Sequence, residues 1–160
     1  MTTASGYSIS WPGLLPATTI CPGALKLAGS ATSAPRLASA QAARTPAPGS
    51  AERKAITDAL RAPVERELRP KVVFKIDHLK ASGDWAFLRG VPQRPGGGEV
   101  DYSVTPYRQR IEDGVFDDWI CALLRKRAGK WQVVKYVIGA TDVVYEGWDE
   151  EYKAPSAIFR

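Results

Sequence analysis

The sequence predicts an α+β fold, in which one N-terminal helix packs on a curved antiparallel sheet of about four strands. A short C-terminal helix follows the sheet, and a disordered leader precedes the helix. Three observations carry this prediction. The hydrophobic period is 3.6 residues between 50 and 70 and changes to 2 from Val72 onward. Two pairs of alternating runs each flank a short Gly-containing turn, which is the signature of a hairpin. In residues 1–49, 34 positions are Ala, Ser, Thr, Pro or Gly, too little apolar surface to offset the entropy of ordering the chain. The chain therefore divides into a leader, 1–49, and a single domain, 50–160.

Ser50 is a good helix N-cap, and Glu52 stands in the first turn, where the helix dipole favours a carboxylate. Ala55, Ile56, Ala59, Leu60, Val64 and Leu68 recur on one helical face, with Arg53, Lys54, Asp58, Arg61, Glu65 and Arg66 on the other. Pro63 removes an amide donor, so a kink or break is expected near Ala62, and Pro70 closes the helix. Val72, Phe74, Ile76 and His78 then alternate with Val73, Lys75, Asp77 and Leu79. If the hairpin closes on Ser82-Gly83, Phe74 faces Val91, Ile76 faces Arg89 and His78 faces Phe87. Trp85, Phe87, Arg89 and Val91 would join that largely apolar face, which the helix can cover.

Pro92, Pro95 and Gly96-Gly97-Gly98 break the chain next. Val100, Tyr102 and Val104 alternate as a short edge strand stopped by Pro106, and a solvated loop is expected over 108–114. The strongest strand pattern runs from Phe116 to Lys126 and from Trp131 to Gly139 around Arg127-Ala128-Gly129-Lys130. One face pairs Leu123 with Val134, Cys121 with Tyr136 and Trp119 with Ile138; the other pairs Leu124 with Val133 and Ile120 with Val137. Both faces are partly apolar, so both need cover. One helix supplies one cover; the C-terminal segment or a second copy of the chain, in a homodimer, supplies the other. Val143, Val144, Tyr145, Trp148 and Tyr152 fall at roughly helical spacing before Pro155.

The net charge of +5 is unevenly placed. Lys26, Arg36 and Arg44 give the leader +3, leaving 19 basic residues against all 17 acidic ones in the domain. A nucleic-acid binder concentrates charge on its folded part, so no nucleic acid is expected as a partner. No run is long or continuous enough to span a bilayer, and none is expected to. Ala38-Ser39-Ala40 before Gln41 has the small-x-small form of a signal-peptidase site, which points to a periplasmic or secreted protein. Against export, no basic group precedes Lys26 and Pro12, Pro16 and Pro22 interrupt the apolar part; a cytoplasmic protein with a plain low-complexity tail is the alternative. Cys121 lies in an apolar run and reads as a buried free thiol, with a disulfide to Cys21 the lesser option.

The helix opening Gly49-Ser50-Ala51-Glu52-Arg53-Lys54-Ala55-Ile56, with Gly83-Asp84-Trp85-Ala86-Phe87, Ala122-Leu123-Leu124-Arg125 and Gly139-Ala140-Thr141-Asp142-Val143, resembles a group of uncharacterised bacterial proteins. Its members are small, typically exported, and similar to cystatin-like or nuclear-transport-factor-2-like α+β folds. The resemblance covers most of 49–160 and none of the leader. It implies a fold family and export and supplies no active site.

Six residues are candidates for a pocket or interaction site: His78, Trp85, Tyr136, Asp142, Tyr145 and Trp148. His78, the sole histidine, is either a general base or a satisfied rim residue on an apolar strand. Asp142 is either the acid or base that a nuclear-transport-factor-2-like cone would hold in its mouth, or, with Thr141, the cap of the final helix. The aromatic residues either line an apolar pocket or fill core. With one His and no Cys cluster, no metal ligand set and no cofactor are expected. Gly96-Gly97-Gly98 opens no helix, so it reads as a hairpin tip rather than a phosphate cradle. Arg125-Lys126-Arg127 with Lys130 is a basic tip that could touch phosphates or an anionic membrane, or simply be solvated. The expected function is a non-catalytic exported domain that binds a protein partner or a small ligand. An enzyme or carrier with a cone-shaped pocket for a small apolar ligand, built on Asp142, Tyr136 and His78, is the alternative.

Overall fold

The computed structural model describes residues 42–160. Helix α1 (Ala51–Leu68) starts where the cap signal places it, with the Ser50 side chain accepting the Arg53 N–H at 3.2 Å. Ile56, Leu60, Val64 and Leu68 are fully buried, each contributing about 1.5–3 kcal/mol of burial. The break expected at Pro63 does not occur: the helix is continuous. Two buried residues on each side of Pro63 pack into the same core, which offsets the one lost backbone bond. Arg69, at φ 75°, ends the helix with its N–H on the Glu65 carbonyl.

Strands β1 (Val73–Ser82), β2 (Trp85–Gln93), β3 (Ile120–Arg127) and β4 (Lys130–Ile138) form one antiparallel sheet in the order β1-β2-β3-β4. Helix α1 covers one face. The registers differ from the expected ones for two reasons. The first hairpin turns on Gly83-Asp84, with Gly83 at φ 58°, so Ser82 pairs with Trp85 and His78 with Arg89. Each edge strand also carries a bulge, at Asp77 in β1 and at Val134 in β4, where one extra residue reverses the side-chain alternation. Phe74, Ile76, Leu79 and Ala81 therefore share the helix face with Ala86 and Leu88, whereas His78 moves to the other face with Trp85 and Phe87. In β4 the expected pairing of Leu124 with Val133 holds. Beyond the bulge Tyr136 lies opposite Ala122 and Cys121 opposite Val137.

The segment between the hairpins is not the expected edge strand and loop. Gln93 bridges Glu99, Tyr102–Val104 forms a 3-10 turn, and Arg108–Glu112 is a short helix, α2. Val100 and Tyr102 are buried while Val104 is exposed, because the turn has replaced strand alternation. Phe116 precedes the strand rather than opening it, and its ring lies over Gly139 at the end of β4.

The second sheet face is covered from within the chain. Trp148, Ala154 and Ile158 pack with Phe87, Cys121 and Leu123, flanked by Tyr145, Tyr152 and Phe159. The helix expected over 143–152 is confined to α3 (Trp148–Tyr152), and Val143 and Val144 are exposed. A 3-10 turn at Ser156–Ile158 then returns Ile158 to the core.

Residues 42–49, grouped with the leader by composition, are ordered against the domain. Arg44 and Ala81 exchange two backbone hydrogen bonds of 2.8 Å, and the Arg44 guanidinium pairs with Glu52. Ala43 packs on the second face. The rest of the leader, Cys21 and the cleavage position after Ala40 lie outside the described residues. Among the described residues no helix is long and apolar enough to cross a membrane, and no group of His, Cys, Asp and Glu could hold a metal ion.

Candidate functional site

The bulge at Asp77 decides which candidates meet. By turning His78 onto the second face it places the imidazole 5.6 Å from the Phe87 ring. Tyr145 and Trp148 reach the same ring from the C-terminal segment, at 4.8 and 6.4 Å, and Phe159 completes the cluster at 4.6 Å. Trp85 lies on this face too, with the Arg125 guanidinium 4.9 Å from its ring centroid. Four of the six candidates are thus on one face, gathered about Phe87.

Two of the four are held by hydrogen bonds. His78 Nε2 is 2.8 Å from the Ile158 carbonyl oxygen, an acceptor only, so that nitrogen carries a proton and donates it. Tyr145 Oη accepts from Arg89 at 3.0 Å, and Arg89 Nε donates to Asp77 at 2.7 Å. The Asp77 bond is the main reason the Arg89 guanidinium holds its proton more tightly than usual. Lys80 donates to the Arg160 carbonyl oxygen, so β1 fastens the chain end with two side chains. The Cys121 thiol beneath this cover is free and fully buried, and burial pushes it up to about 12, so it packs as an unreactive apolar group.

Tyr136 and Asp142 are elsewhere. The bulge at Val134 turns Tyr136 to the helix face, where its hydroxyl donates to Glu67 at 2.5 Å; burial pushes this phenol up to about 12. Tyr107 donates to the other Glu67 oxygen, and burial raises its phenol as well. Glu67 thereby ties the last turn of α1 to β4 and to the start of α2. A third phenol, Tyr102, donates to Asp118. Asp142 sits on an exposed turn, and α3 is capped at Gly147, φ 82°, without a side-chain bond. The expected cap at Thr141 or Asp142 is therefore incorrect. A pocket using Asp142, Tyr136 and His78 together is not formed, because they stand on an exposed turn and on opposite sheet faces.

The helix–sheet interior is occupied by side chains. Ile56, Leu60 and Val64 pack with Ala86, Leu88, Ala122 and Leu124 at no measurable exposure. The described concavities are open surface grooves. One of about 460 Å³ runs beside the aromatic cluster, lined by Tyr145, Glu146, Asp149, Ser156, Phe159 and Arg160 among others. Another of about 340 Å³ separates α1 from β1, between Arg53, Thr57 and Arg61 on one side and Phe74 and Ile76 on the other. Phe159 and Arg160 were not legible as site residues, because a lone apolar residue after Pro155 belongs to no periodic run. Glu67 gave no signal either, standing among the polar residues of an amphipathic helix.

No protein-family model matches the chain, and comparison with curated proteins and with solved structures also returned no match.

Proposed function

We propose that the chain is a non-catalytic binding domain of cystatin-like or nuclear-transport-factor-2-like type, exported to the periplasm or beyond. It engages a protein partner or small ligand at its surface. The observation that carries this reading is the closed packing of α1 on β2, β3 and β4, since an enclosed carrier or enzyme needs room there for its substrate. The gap between α1 and β1 is an open surface groove. The groove beside Tyr145 and Phe159 is the recognition surface. It combines two stacked rings, 6.4 Å apart and inclined by 13°, with the carboxylates of Glu146 and Asp149 and the Arg160 guanidinium. Aromatic anchors rimmed by charge are what recognition surfaces use. The Ala38-Ser39-Ala40 sequence supports export.

NMR mapping with a fragment library tests the proposal. Hits are expected to move resonances of Tyr145, Gly147, Ser156 and Phe159 in one cluster. Hits that instead move Leu60, Val64 and Leu124 would place the ligand between helix and sheet and restore the carrier.

A further inference from the structure

The domain's small net charge conceals a segregation. From Trp119 to Thr141 the chain carries Arg125, Lys126, Arg127, Lys130 and Lys135 and no carboxylate, whereas Asp142 to Glu151 carries five carboxylates and no base. The β3–β4 turn gathers four of those cations at one end of the sheet. Ala128 and Gly129 take φ of 48° and 77°, so Arg127 pairs directly with Lys130 across a two-residue turn. Both side chains are exposed. Arg125 lies over Trp85, its cross-strand partner on β2, and Lys126 lies 5.8 Å from the ring of Trp131, its partner on β4. These contacts fall on the two opposite sides of the hairpin. Each of these two cations lies against an indole at the exposed tip, which reduces the ordering cost of binding.

We infer that this tip docks the domain onto an anionic lipid surface. An exposed two-residue hairpin tip can meet a plane of headgroup phosphates. A nucleic-acid strand would need a groove and free aromatic faces for stacking, and here the domain's own cations lie over both indoles. Trp131 is buried and Trp85 is half-buried, so attachment is electrostatic and shallow rather than inserted. The inference does not depend on the groove beside Tyr145.

Vesicle flotation with the full chain tests it. The chain is expected to float with vesicles of equal phosphatidylglycerol and phosphatidylcholine, to stay down with pure phosphatidylcholine, and to be released as salt shortens the screening length. Arg127→Glu combined with Lys130→Glu should weaken partitioning roughly 25-fold or more, about fivefold for each cation lost. Arg127→Lys with Lys130→Arg should leave it unchanged. Undiminished flotation of the reversed variant would assign binding to the leader or another surface and overturn the inference. So would equal binding to neutral vesicles, or tighter binding to a single-stranded RNA than to the anionic vesicles.

Discussion

Phe87→Ala is expected to cost about 4 kcal/mol of folding stability, within the range for emptying an aromatic site in a core. Phe87 is 1% exposed and lies at the centre of the second face. Its ring contacts His78 on β1 and Tyr145, Trp148 and Phe159 from the C-terminal segment. Collapse into the vacated volume is hindered from below, because Cys121 and Leu123 on the neighbouring strand are already close-packed. Urea unfolding of the full chain measures the loss. Hydrogen exchange should show the amides of Ile158 and Phe159 losing protection first, since their anchor is gone while α1 keeps its own core. A cost below about 1 kcal/mol would mean that the C-terminal segment does not pack there.

Gly139→Ala is the second large effect, at about 3 kcal/mol. Gly139 sits at φ 70°, a conformation that costs an L-residue about 1–2 kcal/mol. A methyl group there would lie 2.0 and 2.2 Å from two carbons of the Phe116 ring. Displacing the ring adds about 1–3 kcal/mol of overpacking. Phe116 has little freedom to yield, being packed between Tyr102 and Tyr107 with centroids at 4.7 and 5.4 Å. Gly139 is also held from both sides, its N–H on the Trp119 carbonyl and its own carbonyl on Arg110. A double-mutant cycle separates the two contributions. In a Phe116→Ala background Gly139→Ala should cost only the backbone part, about 1–2 kcal/mol. Equal costs in the two backgrounds would show that Phe116 does not occupy that position.

Periodicity made the elements and the buried face of α1 legible and misassigned several strand faces. Helix α1 could be read from Ser50 to Pro70 because capping chemistry and a 3.6 period agree. The four strands could be read because their alternation is long. Face assignment failed at Asp77 and Val134, where one added residue inverts everything beyond it. Bulges on edge strands carry no compositional mark: Asp77 and Val134 look like ordinary members of their runs. Those two inversions separate His78 from Phe74 and Ile76 and turn Tyr136 towards Glu67, while Asp142 leaves the expected pocket by standing on an exposed turn. The cover on the second face was legible as a need, because β3 and β4 are apolar on both sides. Its execution by Ile158 and Phe159 was not, because tertiary contact alone recruits them. Similarly, Tyr102 became a hydrogen-bonded anchor through a turn where strand alternation predicted an edge, and Tyr107, beyond the Pro106 stop, became one at the start of a short helix.

Xenon-pressure NMR of the methyl-labelled full chain tests most directly whether the space between helix and sheet is closed. Xenon enters apolar voids and shifts the methyl groups that line them in a saturable way. The filled interior predicts that Leu60, Val64, Leu88 and Leu124 drift no more with xenon than with an equal pressure of helium. Saturable xenon shifts at those four residues would reveal a cavity beneath α1 and contradict the surface-binding reading.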